Sequence, residues 1–319
     1  MNNCMWILAV FTGFSILSQG CSDTTKAPPP SEVHIVTFKS HEVLNSILNS
    51  TIESLVKSGE VTKENVHVYN PEGKLVELQA YVRTLNSRST SLIIAVSTPA
   101  TQATLSARHP NIPVVYSFVS NPAVLNTQNN EKNLTGIANV LDYAKGFELL
   151  KKILPTVKTV GVIYNPSEAN SAFSFSQIAA EAKRQSPSVD IVAREFSKPE
   201  EISSVTATLP KVDAIFVGGD NTLVQNITLL LQVAETRRIP VFASDEGSVR
   251  RGAMAAYSID YDAFGRKTAE IAIDVLHKKQ ADGVAPYSYT EGRRVVNSEA
   301  LKKLGITFDY SKNGCVDLK

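Results

Sequence analysis

Five short polar turns, each following an apolar run, are the features of this sequence whose residue types could do chemistry. They are rich in Ser, Thr, Asn, Asp and Gly, and they occupy residues 97–101, 120–122, 165–171, 218–222 and 244–246. Such residues often join a strand to a helix, because their side chains accept hydrogen bonds from first-turn N–H groups. Helix capping explains any one turn alone. Five turns at the carboxyl ends of predicted strands favour a shared polar site for a small ligand.

The chemistry of the turns differs between the two halves of the chain. The turn at 97–101 offers two capping residues and a proline that suits the first helical position. The free N–H groups and the dipole of that helix end favour a carboxylate. The later turns carry Asp220, Asp245 and Glu246, whose charge favours an amine. A zwitterionic ligand would satisfy both halves.

No residue pattern in the sequence indicates catalysis or a metal centre. It contains no glycine-rich phosphate loop, no G-x-S-x-G elbow and no Cys/His metal spacing. A lone histidine is more often a surface or core residue than a ligand, and the five histidines are scattered at His34, His41, His67, His109 and His277. The net charge of +1 with scattered basic residues predicts no nucleic-acid partner. An exported enzyme that uses the acidic residues stays an alternative, and it requires a carboxyl group with a raised pKa in a closed cleft.

Short β-branched runs alternate with helical patterns from Val33 onward, which predicts repeated βαβ units. The strand patterns lie at 33–38, 66–69, 92–96, 113–118, 160–164, 191–196, 214–217 and 240–243. The helical patterns lie at 42–57, 74–85, 101–108, 145–154, 171–185, 223–236 and 263–279. The alternation runs twice, with 133–141 as a crossover between the two sets. The predicted fold class is α/β, with two doubly wound Rossmann-like lobes joined by a multi-strand hinge, and 319 residues suffice for two cores.

The amino-terminal segment predicts export. Residues 6–17 form an apolar run that is too short for a mature membrane span and is typical of a signal peptide. A small residue precedes Cys21, as in the lipobox of bacterial lipoproteins, so we expect a signal peptide at 1–20 and lipidation of Cys21. Residues 21–32 then form a proline-rich tether. Cleavage without lipidation and an uncleaved anchor stay open, because Ser18 stands where leucine is usual.

Seven segments carry a family resemblance by their content and their order. They are STPATQATL (97–105), IPVVYSFVSNPAVL (112–125), NLTGIANV (133–140), FELLKKILPTVKTVGVIYNPSEANS (147–171), DAIFVGGDNTLV (213–224), RRIPVFASDEGSVRRGAMAAYSIDYDAFGR (237–266) and ALKKLGI (300–306). Together they resemble the ABC-transporter substrate-binding family that includes tryptophan- and tyrosine-binding lipoproteins. The resemblance implies a type I periplasmic-binding-protein fold with three crossovers at the hinge.

The resemblance also implies lobe boundaries and site residues. The N-terminal lobe is expected to comprise 33–138 with 263–289, and the C-terminal lobe 139–262 with 290–319. Matched position by position, the candidate ligand-binding residues are Ser97, Thr98, Thr101, Ser120, Asn121, Asn165, Asn170, Ser171, Asp220, Asn221, Asp245 and Glu246. The family often has Asp where this chain has Asn121, which removes one possible partner for an amine.

The sequence therefore predicts an extracytoplasmic solute-binding protein of an ABC importer, and not an enzyme. Its expected ligand is a small molecule, with an amino acid, including an aromatic one, as the best candidate. We expect a monomer that needs no cofactor and no metal. Its expected partners are ABC permease subunits and, through a lipid at Cys21, the periplasmic or extracellular face of the membrane. The alternative is the ligand-binding component of a membrane sensory system.

Overall fold

The computed structural model describes residues 31–125 and 133–319. The strands are β1 Val33–Val36, β2 Val66–Tyr69, β3 Leu92–Val96, β4 Val114–Val119, β5 Leu134–Asn139, β6 Thr159–Tyr164, β7 Asp190–Glu195, β8 Ala214–Val217, β9 Val241–Ala243, β10 Ala255–Ile259, β11 Tyr287–Tyr289, β12 Gly292–Val296 and β13 Cys315–Asp317. The α-helices are α1 Glu42–Ser58, α2 Leu75–Leu85, α3 Thr98–Ala107, α4 Tyr143–Ile153, α5 Ala169–Arg184, α6 Ile202–Ala207, α7 Asn221–Gln225, α8 Ile227–Thr236, α9 Glu246–Arg250, α10 Tyr261–Lys278 and α11 Ser298–Lys303. Short 3₁₀ helices are Lys63–Asn65, Pro122–Leu125 and Pro199–Glu201.

Three predictions for the amino-terminal segment lie outside the described residues. They are the signal peptide at 1–20, the lipidation of Cys21 and most of the tether at 21–32. Within 31–125 and 133–319, no helix combines the length and the apolar character that crossing a membrane requires.

The strands form two separate sheets. The first sheet has six strands in the order β11-β5-β4-β3-β1-β2, and every neighbouring pair in it is parallel. The second has seven strands in the order β13-β12-β10-β9-β8-β6-β7, and only β12 runs antiparallel to its neighbour β10. In the described residues, the chain passes between the sheets three times, after β5, after β10 and after β11. We call each sheet with the helices packed on it the first lobe and the second lobe.

Buried strands explain why the sequence folds into covered sheets. All residues of β1, β3, β8 and β10 are buried, as expected for parallel strands with helices on both faces. In the first lobe, α1 and α10 pack closely together beside the sheet. Gly265 of α10 permits this approach, because a Cβ there would lie 2.6 Å from the Ile47 carbonyl oxygen of α1. The long helix after β10 therefore belongs to the core of the first lobe.

The predicted fold class is confirmed. The sequence patterns did not include β10 to β13, α6, α9 or α11, and two predicted elements differ in the structure. Residues 133–141 contain β5, a strand of the first sheet that pairs with β4, and are not a crossover alone. The helix expected over 223–236 is divided at Asn226 into α7 and α8. The Asn226 side chain donates to the carbonyl oxygen of Thr222 at 2.9 Å, and asparagine commonly competes with the helix in this way.

Candidate ligand-binding site between the lobes

A small cavity lies between the two lobes, where strand ends of both sheets meet. Its free volume is about 30 Å³, which is room for about two water molecules. The wall from the first lobe is formed mainly by residues that follow β1, β3, β4 and β5, and most of the second-lobe wall follows β8 and β9. The lining residues are His41, Val43, Ser97, Thr98, Phe118, Ser120, Asn139, Leu141, Asn170, Gly218, Gly219, Asp220, Asn221, Val224, Ser244, Asp245 and Tyr261.

Four buried polar atoms of lining residues have no hydrogen-bond partner. They are His41 Nδ1, Thr98 Oγ1, Asn139 Oδ1 and Asn170 Oδ1. The Asn170 amide nitrogen donates to the Gly219 carbonyl at 2.8 Å, which leaves its carbonyl oxygen as the unpartnered atom. A buried polar atom without a partner costs about 1–3 kcal/mol, so native proteins contain few of them. Four such atoms around one cavity indicate a site built for a polar ligand.

His41 is a hydrogen-bond acceptor at this site. Burial lowers its pKa to about 4, so the imidazole is neutral at physiological pH. Its Nε2 lies 3.4 Å from Asn221 Oδ1, and because an amide oxygen only accepts, Nε2 carries the proton. The lone pair of Nδ1 is then left to accept a hydrogen bond from a ligand.

Two strained backbone positions shape the first-lobe wall. Ser97, at the end of β3, has φ 94 and ψ 156, and Phe118 in β4 has φ 58. Residues with a side chain rarely adopt such angles, which cost about 1–3 kcal/mol each and occur mainly at functional sites. The register of β4 against β5 shifts between Ser117 and Val119, so a bulge accompanies Phe118. Both strained positions line the cavity.

Asp220 both caps α7 and lines the cavity. Its Oδ1 accepts from the Leu223 N–H at 2.8 Å. Its Oδ2 accepts from the Asn165 N–H at 2.8 Å and from the Ser171 hydroxyl at 2.6 Å. Burial, followed by the neighbouring charge of Glu168, raises the pKa of Asp220 to about 7. Most of the hydrogen-bonding capacity of this carboxyl group is therefore used inside the second lobe.

Glu168 is a second buried carboxyl group at the start of α7. It accepts hydrogen bonds from the backbone N–H groups of Asn221 and Thr222 at 3.1 Å each. The same carboxylate accepts from the Asn221 amide at 2.8 Å and from the Thr222 hydroxyl. Glu168 is 5% exposed and does not line the cavity, but it adds negative charge behind the wall.

The two acidic residues after β9 have different surroundings. Asp245 lines the cavity and caps α9, and its two oxygens accept from the Ser248 N–H and hydroxyl at 2.7 Å each. Burial raises the pKa of Asp245. Glu246 lies outside the cavity and forms ion pairs with Arg293 at 2.5 Å and Arg250 at 3.6 Å. Across the described ranges, no group of three or more His, Cys, Asp or Glu side chains is arranged to hold a metal ion.

The structure brings seven of the twelve predicted site residues to the cavity. These are Ser97, Thr98, Ser120, Asn170, Asp220, Asn221 and Asp245. Five are not among the lining residues, namely Thr101, Asn121, Asn165, Ser171 and Glu246. The predicted turns therefore converge as expected, although not every polar residue in them reaches the cavity.

The five non-lining residues all bond to other groups of the protein. The ion pairs of Glu246 are given above, and the other four form hydrogen bonds. The Thr101 hydroxyl donates to two backbone carbonyls at 3.2 and 2.8 Å. Asn121 Oδ1 accepts from a backbone N–H two residues later at 3.0 Å. Asn165 and Ser171 hold the carboxylate of Asp220 through a backbone N–H and a hydroxyl. As placed here, these side chains and N–H groups bond to the protein and not to the cavity.

Sequence reasoning did not select His41, Asn139 or Glu168. His41 was judged a lone histidine, yet it precedes α1 in the turn that follows β1. Asn139 is the last residue of β5, so the rule that selected the other turns applies to it once that strand is recognised. Glu168 lies inside the predicted turn at 165–171, and its place in that turn was the available signal.

One side of the cavity is apolar. Val43, Leu141 and Val224 contribute aliphatic surface there, and Phe118 and Tyr261 contribute rings. The ring centroids of Phe118 and Tyr261 are 5.9 Å apart in an edge-to-face arrangement. Burial raises the pKa of Tyr261 well above its ordinary value, so its hydroxyl stays protonated. This side suits the apolar part of a ligand.

Polar contacts join the two lobes across the cleft. Each pairs a first-lobe residue with a residue in or next to α7 or α9 of the second lobe. They are Lys39 Nζ to Thr222 Oγ1 at 2.8 Å, His41 Nε2 to Asn221 Oδ1 at 3.4 Å, Glu42 to Arg250 at 3.0 Å and Gln225 to Glu72 at 3.1 Å. The lobes are closed over the cavity in this structure.

Two doubly wound lobes, three connecting passages and a polar cavity between them define the class of two-lobed solute-binding proteins of the type I periplasmic fold. Comparison with known families agrees with this class. The model of the ABC transporter substrate binding protein family matches residues 32–311. The chain belongs to that family, which consists of solute-binding proteins and not of enzymes.

Individual relatives cover nearly the whole chain. The tyrosine-binding protein of Clostridioides difficile (strain R20291) is 29% identical over 93% of this chain and 90% of its own length. A Streptococcus pneumoniae ABC domain in complex with L-Trp is 26% identical, with a TM-score of 0.82 over 89% of this chain and 99% of its own. A ligand-free, open substrate binding protein with adhesive properties from Clostridium difficile is 27% identical, with a TM-score of 0.68 over 91% of this chain and 100% of its own. At nearly equal identity, the present structure is thus more similar to the tryptophan complex than to the open protein.

Proposed function

We propose that this protein is the extracytoplasmic solute-binding component of an ABC importer and that it captures an α-amino acid between its lobes. One observation carries the proposal. Four unpartnered polar atoms surround a cavity that both lobes enclose, and three of them are acceptors. An ammonium group has three donors and no acceptor, so its chemistry matches the three acceptors on His41, Asn139 and Asn170.

The opposite end of the ligand is assigned to the start of α3. Helix geometry leaves the first-turn N–H groups without intrahelical acceptors, and the helix dipole favours an anion there. Ser97 and Thr98 both line the cavity at this end, and Thr98 Oγ1 is unpartnered. A carboxylate would accept hydrogen bonds from these groups. The carboxyl groups of Asp220 and Asp245, whose pKa values burial raises, would ionise beside an ammonium group and so favour it at the other side.

The side chain of the amino acid is assigned to the apolar side of the cavity. Phe118, Leu141 and Tyr261 offer rings and aliphatic surface, and two relatives are described by tyrosine binding and by a complex with L-Trp. These points support an aromatic amino acid as the first candidate. The cavity has room for about two water molecules, which is fewer than the non-hydrogen atoms of an aromatic side chain. The lobes must therefore separate for entry and close less tightly around such a ligand.

The proposal extends to the placement of the protein in the cell. The family relationship supports a permease as its partner, and the signal-peptide pattern at 1–20 supports export. We propose lipidation at Cys21, a monomeric state and lobe boundaries close to 138/139, 262/263 and 289/290, the first two lying one or two residues from the end of β5 at Asn139 and the start of α10 at Tyr261. The wild-type protein is expected to incorporate a labelled fatty acid in cells and a Cys21→Ser variant is not, whereas equal labelling of the two would contradict lipidation at Cys21.

Calorimetric titration of the purified protein with the twenty standard amino acids tests the ligand. We expect saturable binding of at least one, with L-tyrosine and L-tryptophan the first to be tested. A sugar panel run in parallel is expected to give no heat of binding. Binding of a sugar, and of no amino acid, would contradict the proposed ligand class.

A further inference from the structure

A buried lysine of the first lobe reaches across the cleft into the second. Lys39 is 9% exposed, and its Nζ donates to Thr222 Oγ1 at 2.8 Å. The Thr222 hydroxyl in turn donates to the buried carboxylate of Glu168. The chain of groups therefore runs from an ammonium through one hydroxyl to a carboxylate, and its first link crosses between the lobes.

The loop before α2 is shaped around this lysine. Gly73 has φ +91, and a Cβ added there would lie 2.9 Å from Lys39 Cε. The Lys39 ammonium also lies 5.5 Å from the centroid of the Phe38 ring. The neighbouring Phe38 ring and the distant Gly73 thus hold the lysine side chain in the direction of Thr222.

In the second lobe, these hydrogen bonds end at the segment that forms the cavity wall. Glu168 accepts hydrogen bonds from Asn221 and Thr222 at the start of α7. Asn221 lines the cavity and bonds to His41, one of the acceptors assigned to the ligand. The Lys39 ammonium can stabilise the start of α7 only when the lobes are together. It therefore favours the closed arrangement around the ligand.

We propose that Lys39 is a positioning residue that slows ligand release, by holding the lobes closed through Thr222 and Glu168. The inference rests on the proposed function, because it assigns a role in retaining the amino acid. Lys39 is not among the lining residues, so it acts on the ligand through lobe closure and not by contact. Loss of a buried, charge-assisted hydrogen bond should change the dissociation rate more than the association rate.

Stopped-flow kinetics of L-tryptophan and L-tyrosine with full-length variants test this role. Lys39→Met is expected to raise the dissociation rate constant at least tenfold and to change the association rate constant less than threefold. Lys39→Arg keeps the donor and should restore most of the slow release. Lys74→Met is the matched control, because Lys74 follows Gly73 in the loop beside Lys39 but is exposed and pairs with Glu77 at the surface.

A double-mutant cycle tests the route through the hydroxyl. Thr222→Val is expected to accelerate release as Lys39→Met does, and the double variant should release ligand no faster than Lys39→Met alone. An unchanged dissociation rate in Lys39→Met, or fully additive effects in the cycle, would overturn the proposal.

Hydrogen exchange separates failure of this inference from failure of the proposed function. If neither amino acid binds the wild-type protein, the ligand assignment fails. The role of Lys39 in lobe closure is then tested by hydrogen exchange of the ligand-free proteins. Backbone amides of 221–225 should then exchange about 1.5-fold faster in Lys39→Met than in wild type or Lys74→Met, because the ligand-free protein spends only part of its time in the closed form that holds the Lys39–Thr222 contact. Equal exchange in the three proteins would overturn the role of Lys39.

Discussion

Neutral acceptors, and not free carboxylates, are the groups left available at the cavity. Both oxygens of Asp245 accept hydrogen bonds from Ser248 of α9. Asp220 caps α7 through Oδ1, and its Oδ2 accepts from Asn165 and Ser171. The amide oxygens of Asn139 and Asn170 have no partner. The carboxylates therefore set the potential of the site, whereas the amides and the imidazole offer directional contacts.

Substitution of Asn139 gives the sharpest test of whether the neutral acceptors contact the ligand. Asn139→Leu replaces a buried, unpartnered amide by an apolar group of similar size, so the free energy of unfolding should stay unchanged or rise by about 1–2 kcal/mol. Amino-acid affinity should fall at least tenfold. Chemical denaturation and calorimetric titration measure the two effects.

Asn297 provides the matched control for that substitution. Its amide is buried, but Oδ1 accepts from the Ala300 N–H at 2.9 Å and Nδ2 donates to the Val249 carbonyl at 2.9 Å. Asn297→Leu should lower the free energy of unfolding by about 2 kcal/mol and leave ligand affinity unchanged. Wild-type affinity in Asn139→Leu would remove Asn139 from the site.

Asp220 makes the stability of the protein depend on pH. Its pKa is about 7 in the folded protein, against about 3.9 in an unfolded chain. Between these values the folded state holds a proton that unfolding releases, so this group's contribution to stability falls as pH rises from 4 to 7. Asp220→Asn loses that dependence. The stability difference between wild type and the variant should therefore narrow by about 1.4 kcal/mol per pH unit in that window.

Urea denaturation at pH 5, 6 and 7 measures the difference between the two proteins. Contributions from titrating groups other than Asp220 and its neighbour Glu168 cancel in the difference. Asp220→Asn should be the less stable protein at pH 5, because an amide cannot accept all three hydrogen bonds. A difference that does not change with pH would show that Asp220 is ionised in the folded protein throughout this range.

At the scale of elements, the turn from β3 into α3 stores backbone strain beside the cavity. Ser97 adopts φ 94 and ψ 156, a region that glycine alone occupies readily. Its hydroxyl lies 3.5 Å from the Ala100 N–H, so the capping hydrogen bond is weak. The unfavourable conformation is held by the strands and helix around it, and it places Ser97 and Thr98 on the cavity wall.

Substitution by glycine and by alanine should reveal that strain. We expect Ser97→Gly to be more stable than Ser97→Ala by about 1–2 kcal/mol, because glycine relieves the unfavourable φ. At Gln102, an exposed residue of the same helix, the order should reverse, with glycine about 1 kcal/mol less stable than alanine. Thermal or urea denaturation measures both pairs. The same order at both positions would show that Ser97 is not strained in solution.

The sequence predicted the elements better than the contacts between them. Alternation of apolar and helical patterns indicated most strands, since buried parallel strands are apolar throughout. The sequence predicts a crossover where β5 lies, because Gly136 and the polar residues Thr135 and Asn139 interrupt the apolar run expected of a buried strand. The division at Asn226 depends on one side-chain hydrogen bond, which helical periodicity does not show.

The site was predictable only in part for a related reason. A position after a strand indicates that a residue lies at the right edge of the sheet, and seven predicted residues do line the cavity. Whether a polar group is free depends on its neighbours in space. Ser171 is engaged by Asp220, which is 49 residues away in the chain, and His41 is oriented by Asn221, which is 180 residues away. Such pairings follow from the fold and not from local spacing.

At the scale of the whole molecule, closure depends on a small set of polar contacts. Two of the cross-cleft pairs, Glu42 with Arg250 and Glu72 with Gln225, are at least partly exposed to solvent. Exposed pairs of this kind contribute about 0–1 kcal/mol each. The buried contact of Lys39 adds more, but the lobes are joined by only three passages and enclose unsatisfied acceptors. The closed form is therefore expected to need a ligand to dominate.

Small-angle X-ray scattering with and without a bound amino acid tests that expectation. Without ligand, the radius of gyration should exceed the value calculated from the closed structure, because the unsatisfied acceptors gain water when the lobes separate. Saturation should reduce the radius of gyration, and ligand at 100 times its dissociation constant should raise the free energy of unfolding by about 2.7 kcal/mol. High salt weakens the exposed ion pair, so it should widen the ligand-free ensemble more than the liganded one. Identical scattering in both states, in a protein that the ligand measurably stabilises, would mean that binding occurs without lobe movement.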